Sequence, residues 1–118
     1  MHAAQVAAYW EANAQAWTRQ IRAGYDVYRD ALNMPAFLSM LPPVEGLFGL
    51  DLGCGEGSGT RAVARLGAHM NGIDIAPTLI HHAQAAEAAN PAGIAYRLVY
   101  ATALPFADGR FDFATAFM

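Results

Sequence analysis

The sequence predicts an α/β protein in which a doubly wound parallel sheet follows an N-terminal helical segment. From residue 47 onward, short apolar runs alternate with helical stretches, which is the pattern of parallel strands joined by crossover helices. Glycines cluster between the first apolar run and the helix after it, which marks a strand-to-helix turn. Residues 1–45 contain no strand-like run. We therefore divide the chain into an N-terminal helical cap, 1–45, and a sheet domain, 46–118.

Composition and charge exclude several classes of protein. The chain has 118 residues, enough for one domain, and 55% of them are hydrophobic, which excludes a disordered protein. No apolar run approaches the ~20 residues of a membrane span, and no basic segment precedes a hydrophobic stretch. We therefore expect a cytoplasmic protein without membrane contact. The net charge is −3, so no basic field for nucleic acid is expected.

Three helices are predicted in the cap. Mostly apolar side chains at spacings of three and four predict a long first helix ended by Gly24, and they are Val6, Tyr9, Trp10, Asn13, Trp17 and Ile21. Two shorter helices are expected over residues 25–32 and 35–41. Pro35 suits the first turn of the third helix, and the Pro42-Pro43 pair stops it.

Four strands and two helices are predicted in the sheet domain. Apolar runs bounded by turn residues predict strands over 47–52, 68–75, 94–99 and 111–117. The helices are expected over 58–66 and 77–89. Gly67 ends the first of these helices, and Pro77 occupies the first turn of the second.

The loop after the first predicted strand is the most informative stretch, because Gly53, Gly55 and Gly57 alternate behind Asp51. Glycine permits a positive φ and leaves the backbone bare, so a ligand can lie against it. The helix N-terminus that follows favours anionic or electron-rich groups. A tight turn without a ligand is the alternative. A dinucleotide site fails in glycine register, and a phosphate-binding loop requires a lysine, which the chain lacks.

The run LDLGCGEG, Leu50 to Gly57, has the form acid-x-Gly-x-Gly-x-Gly and resembles the first motif of the class I S-adenosylmethionine-dependent methyltransferases. The resemblance covers about residues 47–118, and the cap resembles that of small-molecule (UbiE-like, methyltransferase type 11-like) members. It implies a Rossmann-like sheet whose strand order begins 3-2-1-4. Because the family sheet has seven strands and this chain supplies four, we expect a C-terminally truncated, cofactor-binding half of an enzyme.

The resemblance also implies how S-adenosylmethionine would be held. Asp51 would support its ammonium group directly or through water, and the backbone of Gly53, Cys54, Gly55 and Gly57 would meet its amino-acid end. Asp74 would accept hydrogen bonds from the ribose hydroxyls, the alternative being an acid that caps the next helix. Ile75 would lie beside the adenine.

Further members of the predicted cofactor site are less strongly indicated. Trp17 falls where related enzymes place an aromatic ring over the cofactor, and a core aromatic residue is the alternative. The segment from Tyr100 resembles a family motif but has tyrosine where an acid is common, so Ala101 and Thr102 are expected to meet the adenine edge. Phe117, near the end of the fourth strand, completes the set.

Other reactive side chains are assigned no chemistry. Cys54 fits between glycines as a small residue, so a nucleophilic role is disfavoured. Arg29 is expected to be a solvated surface residue rather than a carboxylate ligand. His81 and His82 diverge on a helix and cannot share a metal, so no metal is expected. Asp112 is expected to be structural, and no general base is identified.

The sequence thus predicts a methyltransferase half that acts on a small-molecule methyl acceptor. Two alternatives remain: a truncated cofactor-binding or oligomerisation module without turnover, and an NAD-dependent oxidoreductase. Because the fourth strand would be an edge carrying apolar Phe113 and Phe117, self-association through it is expected.

Overall fold

The computed structural model describes residues 3–99, 106 and 109–117. The cap contains α1 (Ala3–Arg22), a π-helical turn (Arg29–Asn33) and α2 (Met34–Met40). The sheet domain follows with β1 (Phe48–Leu52), α3 (Ser58–Ala64), β2 (His69–Asp74), α4 (Pro77–Ala89), β3 (Ala95–Leu98) and β4 (Phe113–Thr115). Tyr100, Ala101 and Thr102 lie outside the described residues.

The strands form one parallel sheet in the order β3-β2-β1-β4, which confirms the predicted fold class. Crossover helices join β1 to β2 and β2 to β3, so the carboxyl ends of the strands lie at one edge of the sheet. Asp51 pairs in register with Gly72 on one side and with Thr115 on the other. The glycine-rich loop therefore begins at the same edge as the end of β2.

The fourth strand covers Phe113–Thr115 and is shorter than the predicted 111–117, and among the described strands it pairs with β1. Pairing starts with Phe113 opposite Gly49. Just before it, the Asp112 amide donates to the Phe48 carbonyl at 2.7 Å, and the Asp112 carboxylate accepts from the Phe48 amide at 2.8 Å. Asp112 thus has the structural role expected of it.

The second and third cap helices join without the break that the sequence predicts. The π-helical turn runs directly into α2, and the Met34 amide donates to the Arg29 carbonyl five residues back. The next residue, Pro35, has no N–H to donate to the carbonyl four residues before it. Widening to π-helical spacing is a known way for a helix to absorb such a mismatch.

The core lies on both faces of the sheet and is closely packed around β1 and β2. Met70, Ile73 and Val63 are at most 2% exposed. Gly49 is needed for close approach, since a Cβ there would lie 2.7 Å from the Met70 sulfur and would overlap the Phe113 ring. A side chain at this position would push β4 away from β1.

Helix α1 packs against α4 through apolar and polar contacts. Ala14 is fully buried against Ala76 and Leu79. The Glu11 carboxylate accepts from the Thr78 amide at 2.8 Å and from its hydroxyl at 2.5 Å, so it caps a helix whose own N-cap residue is an alanine. These hydrogen bonds lower the pKa of Glu11. A turn later, Thr18 and His82 share a 2.8 Å hydrogen bond.

A buried carboxylate ties three elements together at the start of the glycine-rich loop. Asp51 is 4% exposed; its Oδ2 accepts from the Thr60 hydroxyl at 2.6 Å and its Oδ1 from the Thr115 hydroxyl at 2.9 Å. Thr60 belongs to α3 and Thr115 to β4. Burial raises the pKa of Asp51, an effect that the two hydroxyls oppose and the nearby Asp74 reinforces.

We predict that Thr60→Val destabilises the fold by about 1.5–3 kcal/mol, because a buried carboxylate loses a hydrogen bond and no water replaces it. Thr60→Ser, which keeps the hydroxyl, should retain most of the stability. Urea unfolding of the three proteins measures both effects.

The pH dependence of this loss follows from the raised pKa of Asp51. Because folding raises the pKa of Asp51, the ionised carboxylate is less favourable in the folded protein than in the unfolded chain. The free energy of unfolding therefore falls as the pH rises from the unfolded-state pKa through the folded-state pKa. Removing the Thr60 donor raises that pKa further. The difference between Thr60→Val and the parent should therefore be largest above the folded-state pKa and shrink below it. A difference that does not change with pH would contradict the carboxylate explanation.

Candidate functional site

A cavity of about 450 Å³ opens at the carboxyl ends of β1 and β2, between the sheet domain and the cap. Its size is within the range of small-molecule sites, and it lies at the switch point of the sheet, where ligands of open α/β folds bind. Seven of the predicted site residues line it, namely Trp17, Gly53, Cys54, Gly55, Asp74, Ile75 and Phe117.

The glycine-rich loop forms the floor of this cavity. Gly53 and Gly55 have φ of +67° and +59°, a conformation that other residues rarely adopt. A Cβ on Gly53 would have no described atom within 4 Å, so this stretch of backbone has open space beside it. The loop therefore offers bare backbone groups to a ligand, as the sequence predicts.

Gly57 has a different environment from the two earlier glycines. It is not one of the cavity-lining residues, and it forms the left-handed N-cap of α3 with φ +97°. A Cβ there would lie 2.6 Å from both the Tyr96 hydroxyl and an Arg61 guanidinium nitrogen. Packing beneath the loop is thus sufficient to require glycine here, and its cofactor contact stays a prediction.

Asp74 ends β2 at the cavity and is 9% exposed. Its Oδ2 accepts from the Gly55 amide at 2.9 Å, and its Oδ1 accepts from the Ala76 amide at 3.0 Å. Each carboxylate oxygen has a second lone pair, so two hydroxyl donors can still be accommodated. The alternative is that Asp74 caps α4. The Thr78 amide in the first turn of α4 donates to Glu11 and not to Asp74, so the contacts do not support that alternative.

Two other predicted residues differ in their access to the cavity. Asp51 lies behind the loop with both oxygens bonded to threonine hydroxyls, and it is not a lining residue. Its support of a ligand ammonium stays a prediction. Cys54 lines the cavity but is 8% exposed, and burial together with Asp74 and Asp51 raises the pKa of its thiol. A thiol held in the protonated form is a poor nucleophile.

Aromatic side chains form another wall of the cavity. Trp17 meets Trp10 edge to face, with ring centroids 5.5 Å apart, and both line the cavity. Trp10 was not predicted as a site residue, although its spacing of seven from Trp17 places it on the same face of α1. On the other side Phe117 packs against Phe37 with centroids 4.9 Å apart.

The expectation for Arg29 is wrong, because its side chain is only 12% exposed and lines the cavity. Its guanidinium lies 5.4 Å from the centre of the Phe117 ring, and one terminal nitrogen donates to the Ser58 hydroxyl at 3.3 Å. The Nε atom is buried and has no hydrogen-bond partner among the described residues. Buried donors are normally satisfied, so an acceptor is expected here.

Glu56 is a buried acid at the cavity that the sequence analysis missed. It is 2% exposed, and its carboxylate accepts from Arg22, Arg61 and the Ser58 amide, each at 3.0 Å. Burial would raise the pKa of Glu56, but these hydrogen bonds outweigh it and lower that pKa. Glu56 lies between two glycines, and this position in the loop is the feature of the sequence that indicates an ion pair with an arginine.

The described residues hold no group of three histidine, cysteine or acidic side chains arranged to bind a metal ion. Of the two adjacent histidines, His81 is exposed and His82 is bonded to Thr18. Among the described residues, no helix combines the length and the apolar character needed to cross a membrane.

Comparison with known proteins gives a family match over residues 50–118, to the methyltransferase domain family. A ubiquinone biosynthesis O-methyltransferase of Cereibacter sphaeroides is 42% identical over 95 residues, covering 80% of this chain and 35% of that protein. This chain thus spans about a third of the length of the curated relatives it matches.

Solved structures agree with this match. An S-adenosylmethionine-dependent methyltransferase from Mesorhizobium loti superimposes with a TM-score of 0.62 and 35% identity, over 70% of this chain and 37% of that one. The [4+2]-cyclase SpnF superimposes with a TM-score of 0.56 and 30% identity, over 59% of this chain and 27% of that one. On its sequence match and its sheet topology, the chain belongs to the methyltransferase domain family.

Proposed function

We propose that this chain carries the cofactor-binding half of an S-adenosylmethionine-dependent methyltransferase that acts on a small molecule. The observation that carries the proposal is the composition of the cavity. Bare glycine backbone, the Asp74 carboxylate and the Arg29 side chain line one cavity of about 450 Å³, and the Nε of Arg29 has no hydrogen-bond partner among the described residues. A ligand with a free amino acid at one end and a ribose in its middle matches those groups.

Each part of the cofactor has a suitable partner among these residues. The Arg29 guanidinium would take its carboxylate, and loop carbonyl groups near Gly53 would take its ammonium, with Asp51 adding negative charge behind them. Asp74 would accept from the ribose hydroxyls. Ile75, with Ala101 and Thr102 as further predicted partners, would meet the adenine.

The aromatic wall suits the charge of the cofactor. A sulfonium is a soft cation, and the faces of Trp10, Trp17 and Phe117 can stabilise a cation nearby. When bound, S-adenosylmethionine supplies an electrophilic methyl group. The chain's own residues would orient it and exclude water, and such positioning contributes much of the rate of a group transfer.

Because this chain spans about a third of the length of its curated relatives, the methyl acceptor and the complete reaction are proposals. The names of its O-methyltransferase relatives favour a small molecule whose oxygen receives the methyl group. A cofactor-binding module without turnover is the alternative. Self-association through β4, a cytoplasmic location and the lack of a nucleic-acid partner are kept as predictions from the sequence.

The first prediction is selective binding. S-adenosylhomocysteine should bind more tightly than NAD, because the loop register and the Arg29 side chain in the cavity suit an amino acid better than a pyrophosphate. Titration calorimetry with both ligands measures the difference. Both tryptophans of the chain line the cavity, so their fluorescence should change on binding of S-adenosylhomocysteine. Tighter binding of NAD would overturn the proposed function.

The second prediction concerns Asp74. Asp74→Asn keeps one side-chain oxygen but removes the charge, so the affinity for S-adenosylhomocysteine should fall by about 1.5–3 kcal/mol, or roughly ten- to a hundredfold. Because Asp74 also accepts from the Gly55 and Ala76 amides, the melting temperature is measured alongside. Unchanged affinity in a folded variant would assign Asp74 to the loop structure alone.

The third prediction separates the two ends of the ligand. Arg29→Met should weaken binding of S-adenosylhomocysteine about tenfold or more, because a charged hydrogen bond to the carboxylate is lost. Binding of 5′-methylthioadenosine, which has no amino acid, should change little. Arg19→Met, an exposed arginine on α1, is the matched control. Equal losses for both ligands would contradict a carboxylate contact.

A further inference from the structure

The buried Glu56 carboxylate lies where the cap meets the glycine-rich loop. On the sheet-domain side, Arg61 donates to its Oε2 and to its backbone carbonyl, at 3.0 and 2.9 Å. On the cap side, the Nε of Arg22, the last residue of α1, donates to the same Oε2 at 3.0 Å. Arg22 also donates to the His82 carbonyl of α4 at 3.3 Å. One acid therefore holds two arginines from the two parts of the chain.

Because Glu56 is buried, its bonds to the two arginines depend on one another. A carboxylate that is 2% exposed needs compensating cations and donors, and removing one partner leaves part of its charge uncompensated. Moving α1 away would take Arg22 from Glu56 and would open the loop to water. The same movement would withdraw Trp17, which lies five residues before Arg22 and lines the cavity.

Arg22 itself is not among the described cavity-lining residues, and its side chain is 43% exposed. Its contacts connect it instead to Glu56 and to the His82 carbonyl of α4. Glu56 in turn lines the cavity between Gly55 and Gly57, within the loop that would meet the amino-acid end of the cofactor.

We propose that Glu56 is a positioning residue that couples the docking of α1 over the cavity to the shape of the glycine-rich loop. This inference rests on the proposed cofactor site. Cofactor binding and α1 docking then favour each other by the same factor, as linked equilibria must. The cap is a part of the binding equilibrium rather than a separate cover.

The test is Arg22→Met, with Arg19→Met as the control for an equal change of charge on the same helix. Titration with S-adenosylhomocysteine should give about two- to fivefold weaker binding for Arg22→Met and parent-like binding for Arg19→Met, the size expected of a partly exposed ion pair. In the parent protein the ligand should slow amide hydrogen exchange along α1. In Arg22→Met this protection should be reduced.

A double variant distinguishes an effect that passes through Glu56 from a direct effect of the Arg22 charge. With Glu56→Gln the acid is already neutral, so adding Arg22→Met should cause little further loss, whereas independent effects would add. Failure of the parent protein to bind S-adenosylhomocysteine would overturn the proposed function itself. Binding by the parent with identical affinity and identical α1 exchange in Arg22→Met and Arg19→Met would overturn only the coupling.

Discussion

The hydrogen-bonded Asp51 carboxylate is the constraint on which the rest of the site depends. It stands at one end of the glycine-rich loop, and its partner Thr60 stands just beyond the other end. The bond therefore closes the loop upon itself. Its second partner, Thr115, fixes β4 beside β1, and that strand leads to Phe117 at the cavity. The Asp51 carboxylate therefore fixes both the loop and the strand that leads to Phe117.

Three acids crowd around this loop, and each is stabilised by a different kind of donor. Asp51 accepts from hydroxyl groups, Glu56 from guanidinium groups and Asp74 from backbone amides. Two arginines compensate Glu56, whereas among the described residues Asp51 and Asp74 are held by uncharged donors and have no arginine bonded to them. Such a concentration of buried acids is costly for a fold and is typical of functional sites. It suits a ligand that brings positive charge, as a sulfonium and an ammonium do.

The sequence predicts those features that depend on local rules. Alternating glycines, the acids at the ends of β1 and β2 and Pro77 at a helix start depend on backbone geometry within a few residues, and the structure has them. The roles of Arg29 and Glu56 depend instead on which distant side chains meet them. Arg29 lies in a π-helical turn that runs directly into α2, and its contacts Ser58 and Phe117 come from the sheet domain. No periodicity in the sequence carries that information.

The capping of the α4 N-terminus by Glu11 has a consequence for chimeras of this domain. Helix α4 takes the acceptor for its N-terminal amide from Glu11 of α1 rather than from its own sequence. Helix α1 and helix α4 are therefore a matched pair. A chimera that exchanged the first helix for that of another protein would leave the Thr78 amide unsatisfied unless the replacement carried a carboxylate at the same helical position. Exchange of the cap between relatives is thus restricted by a helix terminus and not only by the shape of the cavity.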